Sequence, residues 1–208
     1  FDAEDYGEDK FLTKKDGGKI RFSIRHPLCF TFAAYQNDEM KTDCWDIERK
    51  VTFEEFESHV RNWLNEPDRH IYFITHWSMA ELRHIEDWRK VFEYSNVMVI
   101  HEDSIHLKSK KVTVIDSFAY FTKSLASVAK FVGLEKIDVK EWITRMQELK
   151  RENSKLFWEY ALNDSIILLK GFTELRRFLL NEFDVEILEC FKVPTLSLIH
   201  ISEPTRPY

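Results

Sequence analysis

From Ser154 to about Phe183 apolar side chains return with helical spacing, and Phe157, Tyr160, Ala161, Asp164, Ile167, Leu168 and Gly171 fall along one side. A helix with one apolar stripe has to bury it against another layer. The preceding sequence offers strands for that layer. Leu28 to Tyr35 (LCFTFAAY) and Met40 to Ile47 are rich in β-forming residues and flank the turn-like QNDE, which predicts a hairpin following a first strand over Phe1 to Glu4. His70 to Thr75 (HIYFIT) is a short apolar run of the kind a buried strand shows, and Val97 to Ile100 and Val112 to Ile115 also read as strands. Helices alternate with them. Thr52 to Glu55 is a capping box that opens a helix to about Asn65, and Ser78 opens another through about Trp88. Phe118 to Val132 forms a helix stopped by Gly133, and Asp138 to Glu141 caps a further one. The pattern predicts an α/β fold, a mixed sheet covered by helices in at most three layers, with Lys108 to Lys111 as a solvated turn.

The chain has 208 residues, 44% hydrophobic and 14% aromatic, enough for one good core and far from a disordered composition. Cys29, Cys44 and Cys190 show no CxxC spacing, which excludes a zinc ribbon or a disulfide framework and suits a reducing, cytoplasmic compartment. No run approaches the roughly 20 apolar residues of a membrane helix, and no signal peptide opens the chain, so no membrane partner is expected. A formal net charge of -6 argues against binding nucleic acid through bulk charge alone. An acidic catalytic cluster would contribute to that deficit.

Three short motifs can carry chemistry. Asp2 and Glu4, on a strand, project from the same face because side chains alternate with period two. Two carboxylates that close repel unless a cation lies between them, so the pair is either a solvated strand end or a divalent-metal site. Tyr160 and Asp164 stand one helical turn apart on the apolar stripe, where an unpaired carboxylate is costly; Asp164 meets a metal or a cation there, or turns to a surface base. Glu81 follows the HIYFIT strand within THWSMAEL, and it is equally the N3 member of a Ser78-x-x-Glu81 capping box.

Taken in order, FDAED (Phe1 to Asp5), THWSMAEL (Thr75 to Leu82) and YALND (Tyr160 to Asp164) resemble the three motifs of the DEDD-superfamily 3′-5′ exonuclease domain, tyrosine subclass, as found in family B DNA polymerases of viral, plasmid or protein-primed type. The resemblance spans nearly all of Phe1 to Thr195. VIDSF (Val114 to Phe118) and the helix after it resemble a segment between the second and third motifs, with Asp116 in a structural role, and FKVPT (Phe191 to Thr195) resembles the passage towards a polymerase region. The final thirteen residues, LSLIHISEPTRPY (196–208), resemble a translated sequencing-library adapter, which implies that they belong to no domain and that 1–195 is a gene fragment.

The resemblance implies a ribonuclease H-like mixed sheet flanked by helices with its first strand truncated. It further implies hydrolysis of the last phosphodiester at the 3′ end of single-stranded DNA. Asp2, Glu4 and Asp164 would hold two Mg2+ or Mn2+ ions, with Glu81 assisting, Tyr160 orienting the attacking water and Trp77 offering a surface for a base. A polymerase domain in cis would be the partner, and the location would be the cytoplasm, or the host cytoplasm for a virus. One departure stands out: Glu81 occupies the family's Asp position and Trp77 its usual Asn. The extra methylene adds about 1.5 Å, which a direct Mg2+ ligand tolerates poorly and a carboxylate acting through water tolerates well. A stand-alone exonuclease, an inactive nuclease-like DNA-binding module and a partner-binding α/β domain are the rivals.

Overall fold

The structure is a computed structural model that describes residues 1–13, 19–88, 97–101, 104–108, 112–121 and 123–188. The adapter-like tail 196–208, FKVPT, Cys190 and most of the 108–111 turn lie outside them. No helix among the described residues is long and apolar enough to cross a membrane.

The architecture is mixed α/β, with strands covered by helices on both sides. Strands β1 (Asp2–Thr13), β2 (Lys19–Gln36) and β3 (Glu39–Asp46) form an antiparallel sheet in that order. Helix α1 (Phe53–Leu64) leads to β4 (Ile71–Thr75) and the short α2 (Ser78–Leu82). Strands β5 (Val97–His101), β6 (Ser104–Lys108) and β7 (Val112–Asp116) complete a second, mixed sheet ordered β4-β7-β6-β5, in which β4 and β7 run parallel. Helices α3 (Phe118–Phe121), α4 (Leu125–Phe131), α5 (Met146–Glu152) and the 30-residue α6 (Ser154–Phe183) follow.

Several expectations are met by the local chemistry they rested on. Thr52 and Glu55 bond each other's backbone as a full capping box. Asn37 and Asp38 both take positive φ, the conformation that closes a two-residue hairpin between β2 and β3. Gly133, at φ +68, follows α4 as a helix stop.

Others are corrected. The single sheet is divided in two, because β1 and β4 meet only where the Phe1 amine donates to the Ile74 carbonyl, 2.7 Å away. The first strand does not stop at Glu4 but pairs with β2 as far as Thr13, and β6 was not foreseen. The expected helix over Phe118 to Val132 is broken into α3 and α4. Asp138 accepts the Lys140 N–H as a local turn instead of capping a helix; α5 begins only at Met146. The helix expected through Trp88 ends at Leu82.

Two apolar layers sandwich the first sheet. Phe1, Phe30, Phe32, Phe56 and Phe73 pack edge-on and tilted beneath α1, with centroids 5.0–6.3 Å apart. On the opposite face Leu28 and Cys29 pack against Leu149, Phe157 and Ala161 of α5 and α6. A polar staple lies within this layer. The Thr31 hydroxyl donates to the Ala161 carbonyl at 3.0 Å, and the Ser165 hydroxyl donates to the Thr31 carbonyl at 2.9 Å. It sets the rotation of α6 against β2 at the level of Asp164.

Gly171 is where α4 and α6 approach most closely. A Cβ built there would lie 2.3 Å from Val128 Cγ1, a buried and stiff side chain. Gly171→Ala, normally favourable inside a helix by up to about 1 kcal/mol, is therefore expected to destabilise by roughly 1–3 kcal/mol through overpacking. Adding Val128→Ala should recover part of that loss in a denaturant melt; a stabilised single variant would show that the helices can part.

Candidate metal centre

Strand β1 holds Asp2 and Glu4 on the face turned to α6, and the staple at Ser165 holds Asp164 against them. One carboxylate oxygen from each of the three lies within 4.8 Å of the others. At that separation, and with an effective dielectric constant near 20, each ionised pair repels by roughly 3 kcal/mol. Asp164 is only 4% exposed, so water does little to screen it.

The carboxyls respond by holding their protons. Burial, then the charge of Asp164, raises Asp2 from 3.8 to about 7. Burial pushes Glu4 well above its ordinary value, reinforced by Asp2 and Asp164. Asp164 is also raised by burial, against the opposing pull of Lys136. Burial lowers the Phe1 amine to about 6 in the same enclosure. Four raised acids in one buried volume describe a site short of positive charge.

Glu81 stands just outside the triad. It is 7% exposed, its carboxylate accepts the Ala3 N–H between the two β1 acids, and burial with Asp2 and Glu4 drives its pKa up. The capping-box alternative for Glu81 fails. The N-cap of α2 is Trp77 and no side chain caps it; the Ser78 hydroxyl donates to Asp116, which also accepts the Trp77, Ser78 and Phe118 N–H groups. Asp116 is thus the structural residue that builds this corner, and Glu81 is free to face the acids. Its Oε2 and the Oδ1 of Asp164 are buried with no hydrogen-bond partner, the vacancy a cation would fill.

Tyr160 hydrogen-bonds Asp164, and burial together with the surrounding carboxylates pushes its phenol upward, so it remains a hydroxyl. Trp77 sits at the rim, 49% exposed and in the left-handed region at φ 78, a conformation that a bulky residue rarely adopts. Lys136 was not singled out from the sequence. Its ammonium pairs with Asp164 Oδ2 and lies 5.1 Å from the centroid of the Tyr160 ring. Only its place between Leu134 and Ile137, in a loop after a helix-stopping glycine, hinted that it faces inward.

All five expected acid and phenol positions, Asp2, Glu4, Glu81, Tyr160 and Asp164, are therefore brought to one neighbourhood. The buried triad Asp2, Glu4 and Asp164 could hold a metal ion through hard oxygen ligands. The chain matches no family model, no curated protein and no solved structure. What the site does must be read from its own chemistry.

A raised carboxyl pKa favours folding below the unfolded value and opposes it above the folded one. Metal-free protein is therefore expected to lose stability as pH rises from about 4 towards 7 through Asp2, Glu4, Glu81 and Asp164 together. The fall is steepest below pH 6, since between 6 and 8 the Phe1 amine acts in the opposite sense. Asp2→Asn should flatten the profile in thermal melts and abolish stabilisation by added divalent ions. A pH-independent melt in chelator would contradict the crowding.

Proposed function

We propose that the chain is a ribonuclease H-like 3′-5′ exonuclease domain that hydrolyses the terminal phosphodiester of single-stranded DNA and serves a DNA polymerase. The observation that carries this reading is the convergence of three separate motifs, on β1, α2 and α6, around one buried acidic triad. The parallel β4-β7 pair, the antiparallel β1-β2-β3 unit and α6 behind them agree with that fold.

Asp2, Glu4 and Asp164 would hold Mg2+ or Mn2+, whose hard, oxygen-seeking character suits an all-carboxylate set. Bound there, two such ions lower the pKa of a water and stabilise the departing 3′-oxygen. The Tyr160 hydroxyl, fixed by Asp164, orients that water. Glu81, set back by one methylene, acts on the same centre through water instead of as a direct ligand. Lys136 swings between Asp164 and a phosphate oxygen, since its ammonium already lies over Tyr160. Trp77 and the exposed Phe118 offer apolar surface to unstacked bases.

The pairing of Lys136 with Asp164 also favours a second reading, in which the ammonium replaces the cation permanently and the domain binds DNA without cutting it. Metal titration separates the two. For the nuclease, Asp2→Ala or Asp164→Ala should lower Mn2+-dependent degradation of a 3′-labelled oligonucleotide by roughly 10²-fold to 10⁴-fold, the several kcal/mol of charge stabilisation lost with the ions. Tyr160→Phe should lower kcat by about 10-fold to 100-fold, as loss of an orienting partner does. Undiminished hydrolysis in the Asp164 variant would sink the assignment, and hydrolysis absent from the parent chain despite tight Mn2+ binding would favour the second reading.

A further inference from the structure

A slot runs between the two sheets, and its walls are strand edges. Strand β2 pairs with β3 along Cys29 to Gln36, but with β1 only as far as Thr31. From Ala33 to Gln36 the β1-facing edge of β2 therefore has no strand beside it. Strand β4, on the other wall, pairs with β7 alone, so the edge of Ile71 to Ile74 is likewise open among the described strands. Both stretches line one cavity of about 700 Å3.

Each open edge is four residues long, and a single strand fits both registers. Asp2 lies opposite Thr31 and each step back along β1 is one step forward along β2, so positions preceding Phe1 would face Ala33, Ala34, Tyr35 and Gln36 in turn. On the other side, the Phe1 amine already donates to the Ile74 carbonyl in the manner of a parallel ladder, which puts the same four positions beside Ile74 to Ile71. The far end is closed by Gln36, whose amide donates to the Leu64 carbonyl and to Glu66. Val60 and Trp63 of α1 form one face of the slot, and Leu168 and Phe172 of α6 form the other.

We propose that this slot is a strand-accepting site. It takes four residues of extended polypeptide joined to Phe1 by a peptide bond, antiparallel to β2 and parallel to β4, and it unites the two sheets into one. Apolar walls on both faces select residues that are apolar and β-prone throughout, not alternating with polar ones. Joining through Phe1 turns its buried ammonium into an amide without moving the hydrogen bond to Ile74. A strand held on both sides also stiffens the start of β1, immediately before Asp2. The inference stands on backbone pairing and cavity shape and does not depend on the nuclease reading.

The test compares the full chain with two extended versions, one carrying Val-Ile-Val-Ile and one Gly-Ser-Gly-Ser ahead of Phe1. The apolar extension is expected to raise Tm by about 5 °C or more and to slow hydrogen exchange at amides within Ala33 to Gln36 and Ile71 to Ile74. The Gly-Ser extension should do neither. Equal melts and equal exchange for the two extensions would overturn the proposal. So would protection produced only by a free acetylated Val-Ile-Val-Ile peptide in trans, which would make the slot a docking site for another chain. Nuclease activity is not read, so failure here and failure of the nuclease assignment remain distinct.

Discussion

Crowded carboxylates are the constraint around which this molecule is arranged. Asp2, Glu4 and Asp164 converge within hydrogen-bonding reach of a single small cation, with Glu81 close enough to feel two of them. A chain selected only to fold would separate such groups, since each ionised pair opposes the structure by more than a typical surface ion pair contributes. Every polar feature nearby answers that repulsion. Lys136 lies on Asp164, the Ala3 N–H is given to Glu81, and Tyr160 donates to Asp164.

Rigid surroundings keep the acids from relaxing apart. The aromatic cluster beneath α1 anchors Phe1, the residue next to Asp2, among four other phenylalanines. The Thr31–Ser165 staple fixes α6 one residue from Asp164. A counterweight sits on the far side of β1. Asp5 is approached by Arg25 at 3.0 Å, Arg83 at 2.9 Å and His84 at 3.1 Å, and although burial alone would raise its pKa, these partners hold it below the ordinary value. Arg83 and His84 follow α2 directly, so this ionic knot ties the Glu81 helix to the strand that carries Asp2 and Glu4. The register shift between Glu4 and Asp5, opposite Pro27, is what lets adjacent acids serve opposite faces.

What was legible in the sequence followed strict periodicities. Asp2 and Glu4 were assigned to one face by the period of a strand, and Tyr160 and Asp164 by the turn of a helix; both assignments needed no tertiary information. The Thr52 capping box and the Asn37–Asp38 turn are equally local devices. Lys136 was invisible because it sits in a loop, where no period connects it to residues far along the chain. Glu81 was ambiguous because a local rule, the capping box, explained it as well as the site did. Only Asp116, contributed by β7, decides between them by taking the bonds of Ser78. The long arm of β1 and β2 escaped notice because its carboxylates and arginines read as solvent-facing, although Ile20, Phe22 and Ile24 alternate with Arg21, Ser23 and Arg25 around the Asp16-Gly17 turn signal.

The acidic centre and the open slot are two consequences of one piece of backbone. β1 carries the ligands on residues two and four, and at residue one it leaves the partnership of both neighbouring strands, so the stiffest demand on geometry falls at the least supported end of the strand. Metal ligands need positions held to a few tenths of an ångström, which an unflanked strand end provides poorly. A strand in the slot would place Asp2 in the interior of a continuous sheet, with β2 on one side and β4 on the other. The same ladder would run from β3 through β1 to β7, and Asp116 at the end of β7 would then connect through Ser78 to Glu81 on the opposite flank of the site. Sheet continuity and acid placement are thus a single structural problem, and β1 is where both are solved.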